Sequence, residues 1–304
     1  MHLLVLGANG LLGSNVVQAG LEKGWTVSGT YHSTAPDFDI PLFELDIVDS
    51  STASEIIESA DPDWIVNCAA MTDVDGCEEH PDRAHDVNAQ APGEIAAHCS
   101  QDEYRFLHVS TDYVFDGKST ASYSEDDSAN PVQVYGQSKL DGEKAVQEAR
   151  PEALVTRLSF VYGVHRGTDD LTGFPKWVRD QLIADNEVPL FTDQHITPSR
   201  AGHTASTLLE LIEAGASGTY NVACRSCVSP YEFGAAICDQ MGAAKSLLVE
   251  GKQSHIERPA TRPVHTCLDV TKTEDQLGRR QPTLTEDLEV ISDWFNSESK
   301  PNVR

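Results

Sequence analysis

The sequence predicts an α/β fold, a Rossmann-type doubly wound parallel sheet with a smaller, discontinuous C-terminal substrate-binding region. Three observations carry this prediction. Short apolar runs alternate with amphipathic helical stretches through the first half of the chain. A glycine-spaced loop, Gly7-Ala8-Asn9-Gly10-Leu11-Leu12-Gly13, joins the first run to the first helix. Past about residue 162 the rhythm loosens, yet no repeat or low-complexity tract replaces it.

In order, residues 2–6 form an apolar strand ending at glycine, and 11–23 follow a helical pattern. Residues 25–31, 42–45 and 64–68 read as strands. Between the last two, 50–60 reads as a helix announced by Asp49 and Ser50 and closed by Pro62. Residues 91–100 are helical and 106–110 form a fifth strand. After a loop rich in Ser, Asp and Asn, 135–148 is a strong helix and 154–158 a sixth strand. In the second half, 163–173 reads as a loop, 218–222 as a returning strand, and 174–185, 201–214, 230–241, 270–277 and 284–295 as helices.

Composition narrows the function classes. Among 304 residues, 48 Asp and Glu face 22 Lys and Arg, a net charge of −26. Such a surface repels nucleic acid and anionic lipid, so neither is an expected partner. No apolar run reaches the ~18 residues of a membrane span, and the N-terminus lacks the basic region and cleavage site of a secretory signal. A cytoplasmic protein is expected. With 39% hydrophobic residues the chain can build a core, which argues against an acid-rich disordered protein. The acidity fits a folded protein adapted to concentrated salt, where self-repulsion is screened within ~3 Å at 1 M.

Seven scattered cysteines, an odd number, suit reduced thiols better than a disulfide framework. Cys224-Arg225-Ser226-Cys227 has metal or redox spacing but no second pair and no nearby His in the sequence, so small residues at a strand end are the better reading. Glu125, Asp126 and Asp127 read as surface acids, because a hard cation needs convergent oxygens and not a run. His165 and His195 read as solvated or structural.

The chemistry-bearing residues fall into two groups. In the glycine loop, missing side chains let backbone approach a pyrophosphate at a helix N-terminus, and the strand-loop-helix context gives the motif its force. The second strand ends Thr30-Tyr31-His32-Ser33, with neither the acid that favours NAD nor an arginine for NADP, so both cofactors remain open. Asp46 follows the third strand within reach of an adenine. These features assign 1–162 to an NAD(P)-binding domain, which strands near 188–222 would rejoin, and 163–304 mainly to substrate capping. The second group is Tyr135-Gly136-Gln137-Ser138-Lys139. On a helix, i and i+4 share a face, and a close ammonium would lower the pKa of the phenol towards use as a proton donor. Ser110-Thr111-Asp112-Tyr113 ends the fifth strand, where a hydroxyl could hold a substrate oxygen.

Together with Asn67-Cys68-Ala69-Ala70, Val87-Asn88 and the run from His108 to Gly117, these motifs resemble the extended short-chain dehydrogenase/reductases. Within them, Ser-Thr-Asp-Tyr-Val-Phe-Asp-Gly is most similar to the dTDP-4-dehydrorhamnose reductases. The likeness extends to Val161-Tyr162-Gly163 and Asp193-Gln194, then fades after about residue 225. It implies Tyr135 as proton donor, Lys139 as its partner and ribose ligand, and Thr111 at the sugar keto oxygen. Gly7, Asn9, Gly10, Leu11, Leu12 and Gly13 would cradle NADPH or NADH, Asp46 and Ile47 would flank adenine, and Ala69 and Ala70 would line the cofactor. Thr72, Thr111, Asp112 and Phe160 would meet a nucleotide-sugar substrate. Phe160 stands where these reductases usually carry Trp, which keeps the aromatic face and loses an N–H donor. Magnesium and a homodimer are implied by resemblance alone.

The implied reaction is reduction of a 4-keto-6-deoxy sugar. The related dehydratases carry Asp-Glu after the strand-end Thr, whereas this chain carries Asp112-Tyr113, so the acid for water loss is missing. An epimerase of the same superfamily is an alternative. So is a non-catalytic binding subunit like the methionine adenosyltransferase regulatory β subunit.

Overall fold

Strict alternation in the first strand decides how the sheet is covered. The computed structural model describes residues 1–101 and 104–296. In β1 (His2–Leu6), Leu3 and Val5 join the hydrophobic cluster on one face while Leu4 and Leu6 join that on the other. A strand buried on both sides must be central and sandwiched by helices. After it come α1 (Leu11–Glu22), β2 (Thr26–Tyr31), β3 (Leu42–Glu44), α2 (Ser50–Ala60) and β4 (Trp64–Asn67). Two short helices, α3 (Val74–Glu79) and α4 (Pro81–His85), precede α5 (Ala91–Gln101), β5 (Arg105–Thr111), α6 (Val134–Ala149) and β6 (Leu154–Leu158).

The second half supplies β7 (Val161–His165), β8 (Asp170–Thr172), α7 (Gly173–Ile183), β9 (Val188–Phe191), β10 (Ser199–Arg200) and α8 (Ala201–Glu213). It continues with β11 (Gly218–Asn221), α9 (Pro230–Met241), β12 (Leu248–Gly251), α10 (Thr271–Leu277), α11 (Leu284–Val290) and α12 (Ser292–Asn296). Seven strands form one parallel sheet in the order β11-β6-β5-β4-β1-β2-β3. The chain winds one way from β1 to β3 and the other way from β4 onward. The crevice beyond the C-terminal ends of β1 and β4 is therefore a switch point, the place where open α/β sheets bind ligands. Leu12, Val16, Leu208 and Leu211 of α1 and α8 cover one face; Ile56, Ile95 and Val146 of α2, α5 and α6 cover the other.

Of the 188–222 stretch, β11 lies in this sheet, whereas β9 pairs with β12 in a separate two-stranded sheet. That strand pair and α7, α9 and α11 share a third cluster around Tyr162, Leu190, Phe233 and Leu288. The segment 163–173 is not a plain loop, because β7 turns back on β8. The helix expected over 284–295 breaks at Ile291. Asp49 caps α2 as its sequence suggests, accepting from the Thr52 N–H at 3.1 Å.

The cysteine reading needs correction. Cys227 and Cys267, 40 residues apart, form a disulfide with a Cα–Cα distance of 5.5 Å. An odd, scattered cysteine count cannot show which loops the fold brings together. Cys224, the other half of the Cys-x-x-Cys run, is buried and its thiol donates to the Ser226 carbonyl at 3.5 Å.

Candidate active site

Two cavities open along the switch-point crevice and share Ala70. The smaller, about 260 Å³, is lined by Gly7, Thr30, His32, Asp46, Ile47 and Ala69, with Arg83 at its edge. The larger, about 560 Å³, is bounded by Gly10, Leu11, Leu12 and Gly13 on one side. Across it stand Thr72, Thr111, Asp112, Tyr135, Lys139 and Phe160. Asn9 lines neither; its carbonyl accepts from His165 Nε2 at 2.9 Å, which makes His165 a strut of the loop. His195 pairs by backbone with the 264–266 segment and has no place in either cavity wall.

The glycine loop fits a dinucleotide pyrophosphate. Gly10 is the N-cap of α1 and offers no side-chain cap, and Gly10, Leu11, Leu12 and Gly13 line the larger cavity, so the uncapped first turn of the helix adjoins the space a pyrophosphate would fill. A Cβ on Gly13 would strike the Gly7 carbonyl, so only glycine lets the helix start this close to the loop.

Tyr135 and Lys139 lie one turn apart on α6. Gly136 brings that turn against the Tyr113 carbonyl, which a Cβ would hit. Burial pushes the Tyr135 phenol up, the Thr111 hydroxyl beside it draws it down, and Asp112 pushes it up again. The ammonium was expected to be the group that lowers this phenol. Instead Lys139 Nζ donates to the Val109 carbonyl at 2.6 Å and sits 3.3 Å from His108 Nε2. Burial brings Lys139 down to about 8, against the opposing pull of Glu143 and Cys68.

Asp112 is the buried hub of the substrate side. Its Oδ1 accepts from the Thr111 hydroxyl at 3.0 Å and its Oδ2 from Ser159 at 2.7 Å. Burial lifts it to about 6, and the Thr266, Ser159 and Thr111 hydroxyls hold it from rising further. Phe160 has φ of +46°, the left-handed region that a Phe rarely adopts. That turn aims its ring at Phe174 and Phe233, with centroids 5.5 and 6.2 Å away, and at the cavity.

Sequence reasoning missed four contributors. Tyr113 lines the larger cavity, its ring edge-on to Tyr135 at 6.1 Å. His108, linked to Asn67 at 3.2 Å, backs Lys139. Glu143 ties β5 to β6 by accepting from Ser110 and from Arg157. Arg83 reaches both oxygens of Asp46 at 3.0 and 2.9 Å. The first three lie inside or beside motifs that were visible, but Arg83 comes from a short helix with no motif. For a hard cation the residues do not fit. Asp126 and Asp127 are exposed, Glu125 accepts from the Asn221 N–H, and the three do not converge.

Comparisons with known proteins agree with this geometry. The family model described as RmlD substrate binding domain matches residues 1–296. A probable low-salt glycan biosynthesis reductase of Haloferax volcanii is 50% identical over 98% of this chain and 100% of its own length. A dTDP-4-dehydrorhamnose reductase of Mycolicibacterium smegmatis is 32% identical over 88% of this chain and 77% of its own. The crystal structure of a dTDP-4-dehydrorhamnose reductase from Bacillus anthracis in complex with NADP superimposes with a TM-score of 0.82. It is 25% identical and covers 95% of this chain and 97% of that one. Glycine loop, Tyr-Lys helix and whole-length similarity together place the chain in the RmlD substrate-binding-domain family.

Proposed function

We propose that the chain is an NAD(P)H-dependent reductase of a nucleotide-linked 4-keto-6-deoxy sugar, of the dTDP-4-dehydrorhamnose to dTDP-rhamnose type, serving glycan biosynthesis in the cytoplasm. The observation that carries this reading is the meeting of Tyr135, Thr111 and Lys139 in the cavity that Gly10, Leu11, Leu12 and Gly13 of the glycine loop border. In this reading 1–162 binds the dinucleotide and 163–304 mainly closes over the sugar. The bound nicotinamide supplies the hydride.

The chain's own groups do the rest. Tyr135 gives its phenolic proton to the oxygen that becomes negative as the carbonyl is reduced. Its raised pKa keeps that proton in place until then. Thr111 now donates its one hydroxyl proton to Asp112, and would turn that proton to the same substrate oxygen when the sugar binds. Lys139, now held by the Val109 carbonyl, turns to the nicotinamide ribose and supports the phenolate. Arg83, paired with Asp46, brings a guanidinium to the smaller cavity beside the strand end that would meet the adenosine ribose, which favours NADPH.

The test follows NADPH oxidation with dTDP-4-keto-6-deoxy-L-mannose in concentrated salt, comparing wild type with Tyr135→Phe. Turnover in the wild type, lost in a variant that still binds NADPH, supports the assignment. Equal turnover in both would remove it. Copurified cofactor without net oxidation of NADPH would point instead to epimerisation.

A further inference from the structure

We propose that the reduced chain binds one thiophilic divalent cation, zinc above all, between Cys227, Cys267 and His265, at a site that the disulfide closes. One sulfur from each cysteine and one ring nitrogen of His265 lie within 4.8 Å of one another. His265 Nε2 is 3.6 Å from Cys227 Sγ. Two thiolates and an imidazole are soft to borderline donors, which suit zinc and not magnesium or calcium. Among the described residues this is the group of His, Cys, Asp or Glu side chains so placed.

The backbone holds the ligands from both sides. The Cys267 carbonyl accepts from the Tyr123 N–H at 2.7 Å, and the Leu268 N–H donates to Thr197 Oγ1 at 3.2 Å. The Thr266 N–H donates to the His195 carbonyl at 2.9 Å. Next to Cys227, Val228 exchanges two backbone hydrogen bonds with Ile196, each 2.9 Å. Ligands from two distant stretches are therefore preorganised, and little loop ordering is needed to bind a metal. Cys227 is exposed while Cys267 is buried, so water takes the fourth tetrahedral position on the Cys227 side. His265 Nδ1 has no hydrogen-bond partner, so the imidazole lacks the outer support of the tightest zinc centres. The expected affinity is accordingly below that of a closed four-ligand site.

The balance of the exchange is simple. An added phosphine or dithiol reduces the S–S bond with two electrons, and two protons complete two thiols. Zn²⁺ then displaces those two protons as two Zn–S bonds form. Disulfide and metal thus exclude each other at the same two sulfurs. The site stands apart from hydride transfer and does not depend on which sugar the enzyme reduces. It does adjoin the reaction centre, because Ile196 lines the larger cavity and Thr266 stands beside Asp112.

The test uses the full chain in concentrated salt, reduced with a phosphine, loaded with Zn²⁺ or Co²⁺ and desalted. One metal per reduced chain is expected, with thiolate-to-cobalt charge-transfer absorption in the Co²⁺ form. The disulfide form should retain none. Cys227→Ser, at an exposed position, should lose about half of that absorption per bound cobalt, as one of two Co–S bonds goes, and weaken binding by at least roughly tenfold. His265→Ala should keep the absorption with weaker binding, and Cys224→Ser should change neither. Absence of the cobalt band from the folded reduced chain, undiminished binding by Cys227→Ser, metal on the disulfide form, or unfolding on reduction would each overturn the proposal.

Discussion

The two cavities that meet at Ala70 are built on different principles. In and behind the wall of the larger one, the central polar groups are already engaged by protein: Thr111 and Ser159 with Asp112, Lys139 with Val109, and Glu143 with Ser110 and Arg157. These groups are buried, and burial displaces Asp112 upward and Lys139 downward. In the smaller one, the polar feature is a half-exposed Arg83–Asp46 pair on the rim, with His32 3.9 Å from the same carboxylate. Fixed, desolvated groups act strongly on a developing charge, whereas an exposed pair is worth little until a ligand completes it. On the proposed reading, reaction chemistry belongs to the preorganised cavity and cofactor choice to the adaptable one.

The largest test of this contrast is Tyr135→Phe. Removing the proposed proton donor should lower kcat by roughly 10²–10⁴-fold, the range of general acid catalysis, while the dissociation constant for NADPH stays within a few-fold. Loss of cofactor binding of the same size would mean that the two cavities do not divide the work.

Lys139→Met should lower activity roughly 100-fold and also remove a pH limb. In the wild type, activity should fall as pH rises through about 8, where the ammonium deprotonates. Stability should move the other way. Between about 8 and 10.5 the folded chain holds fewer protons at this lysine than the unfolded chain does, so its burial penalty is relieved as pH rises. The gap corresponds to roughly 3 kcal/mol at full extent. Denaturant unfolding of both proteins at pH 7 and pH 10 reads it as a difference; identical slopes with pH would refute the parked-ammonium picture.

On the rim the effects should be smaller. Arg83→Ala should shift the NADPH:NADH ratio of kcat/KM roughly tenfold towards NADH, about 1.4 kcal/mol, with kcat itself nearly unchanged. An unaltered ratio would leave cofactor choice to other groups. The smallest change is expected of Phe160→Trp. Restoring the indole should alter KM for the keto sugar a few-fold and leave KM for NADPH alone, as steady-state kinetics would show.

Most of the nucleotide-binding half was legible because its signals are local. Period-two burial in residues 3–6, the Asp49 cap and the Tyr-x-x-x-Lys turn each depend on neighbours within a few positions. Gly7, Gly10 and Gly13 could be placed for the same reason. What stayed hidden depends on contacts between distant stretches. Nothing near Arg83 says that α4 will swing it onto Asp46, and nothing near Lys139 says that His108 will lie behind it. Cys227 pointed to Cys224 by spacing, but hydrogen-bonded pairing of the 196, 228 and 265 segments decides its real partner. The short strands β8 and β12 escaped because three or four residues carry too little periodicity to stand out.

The strand order has a consequence for the order of synthesis. The interior strand β1 is made before its neighbour β4, the middle strand of the sheet, which follows only at Trp64–Asn67. By Leu158 six of the seven strands exist, and the crevice already has its glycine loop, Thr111, Tyr135 and Lys139. The outer edge of β6 still waits for β11 at Gly218–Asn221. For about 60 residues of elongation, an emerging domain that already holds the proposed catalytic groups carries an open parallel edge, the kind of exposure that favours wrong pairing. A growing chain is therefore most open to wrong pairing between β6 and β11, and a net charge of −26 on the full chain sets like-charged copies to repel one another.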